Sequence, residues 1–347
     1  MKQNPTMLND YLRNEENISF RNLITAVSYE DRGFLSVKTI LERFKIEKAV
    51  LILFGKNYLD SQMQEKWEIQ KNLLNSLFNK YKIEYVEIRC DSIFFNESID
   101  EIKTITKNKL PNIINITPLP KNYILRLAKE FDDEKNIFFY YRSTYREPSK
   151  EQLDISIERI IPVEGFEGTR ELTAEDILVL ILGYEGHRAQ SFLSNFSPYK
   201  ILPLISIPNE GDKEIDDGYY NNVLNCNWKL LRKHSVLKKS DGSFFTISSL
   251  NHLNFTLELK DIINTYKENE IDVCISPIGT KAQTLGLYLY WREHPDTQII
   301  YSVPIKRFDV TANRATIKDI YPIPSIKTFD TNVKEAEPWI YGFPPKM

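Results

Sequence analysis

The sequence predicts an α/β protein of two tandem Rossmann-like units, mostly parallel sheets with helices on both faces, arranged as a pseudo-dimer. Three observations predict it. Short continuous apolar runs alternate with amphipathic stretches along the chain, the pattern of parallel strands buried on both faces and joined by helices. The second half repeats the order of the first. Finally, 347 residues suit two domains of ordinary size, each able to bury a core.

In the first half the apolar run 23–27 reads as a strand and is followed by the polar cluster Ser28, Tyr29, Glu30, Asp31 and Arg32. A helix fits next, with Phe34, Val37, Ile40, Leu41 and Phe44 on one face. Residues 49–54 form a second strand, and 64–81 a helix with Trp67, Leu73, Leu74, Leu77 and Phe78 on one face. Strand 85–88, helix 98–108 and strand 113–116 follow. The last is closed by Thr117-Pro118-Leu119-Pro120-Lys121, and helix 123–131 leads to strand 137–141.

The second half opens on strand 177–182 and the cluster Gly183-Tyr184-Glu185-Gly186-His187-Arg188. A helix carries Phe192, Leu193 and Phe196, and strand 200–207 follows. A polar stretch with Asp212, Asp216 and Asp217 precedes a helix over 219–233. Strand 243–247, helix 250–266 and strand 272–275 come next. The loop Ser276-Pro277-Ile278-Gly279-Thr280-Lys281, helix 282–292 and strand 298–303 complete the set. Tyr29-Glu30 with Arg32 thus matches Tyr184-Glu185 with Arg188, and the Thr117 loop matches the Ser276 loop at nearly equal spacing. Domain boundaries are expected at 1–150 for the first unit, 151–175 for a linker in which 159–163 adds a strand, and 176–306 for the second unit. The Pro-rich and aromatic tail 307–347, with Trp339, Tyr341 and Phe343, is expected to be an ordered strap.

Composition excludes several classes. Forty-five Lys and Arg against 48 Asp and Glu give a net charge of −3, which exerts no pull on nucleic acid or anionic lipid. Neither a membrane nor direct nucleic-acid binding is expected. Cys90, Cys226 and Cys274 make no CxxC pair, and an odd, sparse count suits a reducing compartment. Residues 1–17 are polar and lack a signal-peptide core. The expected location is cytoplasmic.

Ligands of open parallel sheets bind beyond the carboxyl ends of the strands, where both matched clusters fall. The Ser276 loop leaves a buried strand and opens a helix. Gly279 permits close backbone approach, Thr280 is a good N-cap, and the free amides of the first turn hold anions. Lys281 adds charge and Ser276 a hydroxyl; Thr117 and Lys121 stand in their place in the first half. The chain has neither the Walker A spacing nor a GxGxxG fingerprint, so nucleotide cofactors of those types are not expected. The alternative is a plain helix cap with a solvated lysine. Arg32 and Arg188 are suited to clamping a phosphate, Tyr29 and Tyr184 to stacking on a base, and Glu30 and Glu185 to accepting from a ribose or acting as bases. The alternative is an internal Glu–Arg pair that orders each loop. His187 is a weak catalytic candidate, since the first cluster has no counterpart. His234, His252 and His294 read as surface or helix-face residues. Asp212, Glu214, Asp216 and Asp217 read as a solvated acidic loop rather than a metal site. No catalytic residue, metal or cofactor is assigned.

The polar cluster after a first strand and Gly279-Thr280-Lys281 after a late strand resemble the CRISPR-associated Rossmann fold (CARF) sensors, whose late loop is often Gly-Gly-Thr-Lys. Pro120-Lys121 stand where that family has glycine and threonine, and Pro277 precedes the turn where a second glycine is common. The resemblance implies domains that act as dimers and bind cyclic oligonucleotides, here within one polypeptide. It implies a sensor or subunit of a prokaryotic defence system, with a nucleotide-type ligand and a protein partner. The tail after Arg307 is too short for a nuclease module. Two other classes stay open: an enzyme acting on a nucleotide or sugar phosphate, and a scaffold with vestigial pockets.

Overall fold

A computed structural model describes residues 6–7, 19–55, 59, 61–90, 95–106, 111–143, 157–169, 176–196, 200–208, 213–266, 272–304 and 315–322. It divides into two compact units, whose described residues fall in 1–167 and 301–324 for the first and in 168–300 for the second.

The first unit is built on strands β1 (Thr6–Met7), β2 (Ser19–Ala26), β3 (Lys45–Phe54), β4 (Glu84–Cys90), β5 (Asn112–Asn115), β6 (Ile137–Ser143) and β13 (Ala315–Pro322). They form one sheet in the order β1-β13-β6-β5-β2-β3-β4. The run from β4 to β6 is parallel throughout; β13 joins β6 antiparallel and β1 joins β13. Helices α1 (Asp31–Arg43), α2 (Ser61–Lys80), α3 (Asn96–Thr106) and α4 (Lys121–Glu130) connect the parallel strands. Successive strand residues face opposite sides of a sheet. Leu23, Ala49, Leu51, Ile113 and Phe139 therefore form one core with Val37, Ile40, Trp67, Leu74 and Phe78 of α1 and α2. The opposite face carries Ile24, Val50, Ile52, Ile114 and Phe138, and there Phe54 meets Tyr123 of α4 edge to face at 5.3 Å. Leu73, read as a core position, is 41% exposed. Met63, Trp67, Gln70, Leu74, Leu77 and Phe78 make the buried stripe of α2 instead.

The second sheet contains β7 (Ile157–Pro162), β8 (Ile177–Leu182), β9 (Lys200–Ile207), β10 (Phe245–Ser248), β11 (Val273–Ser276) and β12 (Gln298–Pro304), in the order β10-β9-β8-β11-β12-β7. From β10 to β12 every pairing is parallel. Helices α5 (Gly186–Asn195), α6 (Lys213–Lys233), α7 (His252–Tyr266) and α8 (Lys281–Glu293) connect these strands. Both sheets therefore share one internal order, third-second-first-fourth-fifth, with the reversal between β2 and β5 in one and between β8 and β11 in the other. The α/β class and the mostly parallel sheets flanked by helices are as the apolar runs predict.

Several boundaries differ from the sequence reading. Asp216 and Asp217 lie inside α6, which begins at Lys213, and not in a loop before it. Asp216 and Asp217 are the fourth and fifth residues of that helix. Asp212 lies outside the described residues. The strand read at 159–163 spans Ile157–Pro162, and residues 315–322 of the expected strap form β13. Trp339, Tyr341 and Phe343 lie outside the described residues. Among the described residues, no helix is long and apolar enough to cross a membrane.

Candidate functional site

Each unit places its two matched loops side by side at the carboxyl end of the sheet, where the strand order reverses. After the first strand, the Tyr-Glu pair occupies equivalent positions in the two units. Glu30 is the N-cap of α1 and Glu185 the N-cap of α5. Glu30 accepts from Arg32 Nε in a short contact, and Glu185 Oε2 accepts from Arg188 Nη1 at 2.7 Å. An internal ion pair therefore orders both loops. Burial works to lower the Arg32 pKa, but Glu30 together with Tyr140 and Tyr29 holds it above its usual value.

The arginines are not positional equivalents. Counting from the caps, Arg32 is the second helical residue of α1 and Arg188 the third of α5. Arg188 therefore corresponds to Gly33 and His187 to Arg32. The Arg188 side chain is only 7% exposed, against 21% for Arg32. His187 is exposed. Tyr29 is buried in the core of the first unit, whereas Tyr184 is half-buried and packs edge-on against Tyr219 of α6 at 4.9 Å.

The late loops also differ. In the second unit Thr280 caps α8 through a complete capping box. Its Oγ1 accepts from the Gln283 amide at 3.2 Å, and the Thr280 amide donates to Gln283 Oε1 at 2.7 Å. Thr280 Oγ1 also donates to the Ser249 carbonyl at 2.5 Å. Gln283 Nε2 donates to Ser206 Oγ and to the Ser248 carbonyl, each at 3.0 Å. One buried amide thus ties the ends of β9 and β10 to the start of α8. The capping box employs two amides of the helix start internally. Lys281, the first helical residue, is half-buried.

In the first unit Pro120 stands at the N-cap with no side-chain bond, and Lys121 is the first helical residue. The loop from β5 to α4 is one residue longer than its counterpart, so Asn115, not Thr117, corresponds to Ser276. Thr117 is buried, and its Oγ1 accepts from the Tyr141 amide at 2.9 Å.

Gly183, Gln283 and Glu258, none of them a predicted site residue, shape the second site. Gly183 and Gly279 face each other: a methyl on Gly183 would meet only Gly279 Cα, at 3.9 Å. Gln283 was visible in part, because Thr280-x-x-Gln283 is a capping-box spelling, but its reach to β9 and β10 is long-range and leaves no local mark. Glu258 of α7 accepts from the Ser248 amide at 2.6 Å. Burial pushes its carboxyl up to about 7, with Asp261 adding to the rise and the Ser248 amide opposing it. His252, read as a surface or helix-face residue, is fully buried on α7. No three His, Cys, Asp or Glu among the described residues group as a metal site.

The Glu258 shift makes stability depend on pH. An acid whose folded pKa lies above its unfolded one binds more protons when folded, so stability falls as pH rises between the two values. The contribution is complete below the unfolded value of 4.5 and is lost as pH rises through about 7. We expect a loss of about 3 kcal/mol across that window. Glu258→Gln should remove it, as read from urea unfolding at a series of pH values. An unchanged slope in the variant would show that another group is responsible.

No protein-family model matches the chain, and no curated protein matches it. Among solved structures, it is similar to a type III CRISPR defence DNA nuclease activated by cyclic oligoadenylate, with 9% identity and a TM-score of 0.48; the match covers 81% of this chain and 65% of the nuclease. A second similar structure is the cytoplasmic domain of a prokaryotic cation chloride cotransporter, with 11% identity and a TM-score of 0.23; the match covers 85% of this chain and 100% of that domain. The chain thus spans 65% of the length of the nuclease it matches.

Proposed function

We propose that this chain is a binding module for a phosphorylated nucleotide-type ligand, a cyclic oligonucleotide messenger, and that it serves as a sensor or subunit of a prokaryotic defence system. In this reading the two units are diverged copies of one ancestral module. The observation that carries it is the pairing of loops at the point where the strand order reverses, a Gly-Thr-Lys helix start lying beside a Tyr-Glu-Arg helix start. Ligands of open parallel sheets bind at that point, and a helix start with a lysine in its first turn favours an anion.

Tyr29, Glu30, Arg32, Thr117 and Lys121 in the first unit, with Tyr184, Glu185, Arg188, Ser276, Gly279, Thr280 and Lys281 in the second, are the proposed ligand-binding set. Calorimetry with a panel of cyclic and linear oligoadenylates tests the reading. Lys281→Ala should weaken binding by about 1–3 kcal/mol through loss of a charge-assisted bond to phosphate. The bound ligand should be recovered intact; its conversion to product would favour an enzyme over a sensor. A chain that binds nothing in the panel and co-purifies with a protein would favour the scaffold.

A further inference from the structure

The first unit carries a hollow away from the strand-order reversal. It lies toward the β4 side of the sheet, at the carboxyl ends of β3 and β4 and beside α2, and it shares no residue with the proposed ligand-binding set. Its volume is about 530 Å³, within the range of pockets that enclose a small organic molecule. Leu53 and Phe54 end β3 and Cys90 ends β4, and all three are buried. With Trp67 of α2, 5% exposed, they make an apolar floor. Gly55 follows β3 without a side chain, and a methyl there would meet nothing within 4 Å, so that part of the rim is open.

The rest of the rim is charged, with Glu68, Lys71 and Arg89. Lys71 Nζ donates to Glu87 Oε2 at 2.8 Å, so its charge is matched within the protein. Arg89 differs. Register sets it beside Leu53, which packs in one core with Trp67. Side chains alternate between the faces of a sheet, so Arg89 shares the face that α2 covers. It is exposed, and among the described residues its side chain has neither an ion pair nor a hydrogen bond. Two cations thus stand against two carboxylates, Glu68 and Glu87. A ligand with several phosphates would find no net attraction there. One with a single anionic group can use the planar fork of Arg89, which matches a carboxylate or a phosphate.

We propose that this hollow binds a small organic anion, an apolar ring bearing one carboxylate or one phosphate. The anionic group meets Arg89, and the ring lies against Trp67, Leu53 and Phe54. Aromatic walls favour a flat ring through stacked or edge-to-face contact, and a few polar groups over an apolar floor fix its orientation. The site is separate from the one under the proposed function and stands or falls without it.

Calorimetry on the full chain with naphthoate, naphthyl phosphate and the neutral naphthalenemethanol tests it. The better of the two anions, which separates a carboxylate from a phosphate site, should bind once per chain and about tenfold or more tighter than the alcohol. Arg89→Gln should weaken that anion by about tenfold. Glu68→Gln should strengthen it by about twofold or more, because a like charge is removed. Both side chains are exposed, so each variant should keep the circular dichroism of the parent. Arg43→Gln is the control, an exposed arginine in the last turn of α1, and should change affinity less than about twofold. Neither anion binding the parent below about 1 mM, equal affinity for the alcohol, or equal affinity in the parent and Arg89→Gln would overturn the pocket. Oligoadenylate affinity should be the same in the parent and in Arg89→Gln; a loss there would overturn the separation of the two sites.

Discussion

Gly186→Val should destabilise the second unit by about 3–4 kcal/mol, at or beyond the usual cost of overpacking a core. Gly186 opens α5 at the point where that helix crosses α6. A methyl there would stand 1.9 Å from the Cys226 carbonyl oxygen, 2.5 Å from its carbon and 3.2 Å from the Asn227 amide nitrogen. The obstacle is backbone in the middle of a helix, so no side-chain rotation relieves it. The only response is to part α5 from α6. That movement would also strain the bond from Asn227 Nδ2 to the Gly183 carbonyl, 2.8 Å long, which holds the end of β8. Urea unfolding followed by tryptophan fluorescence reads the loss. Gly218→Ala is the control: it lies in α6 with nothing within 4 Å of the added methyl. Replacing a helical glycine by alanine at such a place should stabilise by about 0.5–1 kcal/mol. Similar behaviour of the two variants would show that α5 and α6 pack less closely than described.

Gln283→Leu should cost about 3 kcal/mol, from three buried hydrogen-bonding groups left without their partner. The side chain is 1% exposed, so water cannot replace it. The Thr280 amide loses its acceptor, while Ser206 Oγ and the Ser248 carbonyl lose a donor. Leucine matches the volume, which separates lost polarity from a cavity. Gln283→Glu keeps an acceptor for Thr280 but sets a buried carboxyl group against the Ser248 carbonyl, so it too should be destabilised. Hydrogen exchange at the first turn of α8 should accelerate in both variants, more in Gln283→Leu. Unaltered exchange there would mean that Thr280 alone holds the helix start.

The sequence was most readable where one physical effect acts alone. Strands β8 and β9 stand out because both faces are buried and nearly every residue is apolar. The beginnings of β2 and β3 do not: Arg21, Lys45 and Lys48 reach solvent along the strand, so the apolar run starts later than the hydrogen bonding. The start of α6 was hidden by its acids, which read as a loop. Strand β13 had no local signal, since its reason for being a strand is the edge of β6, far away in the chain.

The same division holds at the site. The residue types of the Tyr-Glu-Arg and Gly-Thr-Lys clusters were legible, and so were their strand-end places. The one-residue offset that puts Arg188 opposite Gly33 was not, because only the helix caps reveal it. The network by which Asn115 joins Thr25 to Ser36 spans two strands and a helix, and no window of sequence contains all three.

Strand β13 also sets an order of events during synthesis. The β6 rim of the first sheet stays uncapped until residues 315–322 have left the ribosome, by which time 168–300 are already available to fold. The amino-terminal half of the polypeptide is thus the later of the two to be finished. During that interval a nascent chain carries a bare strand margin open to adventitious pairing, so shortening the gene from its 3′ end should harm the product of its 5′ end.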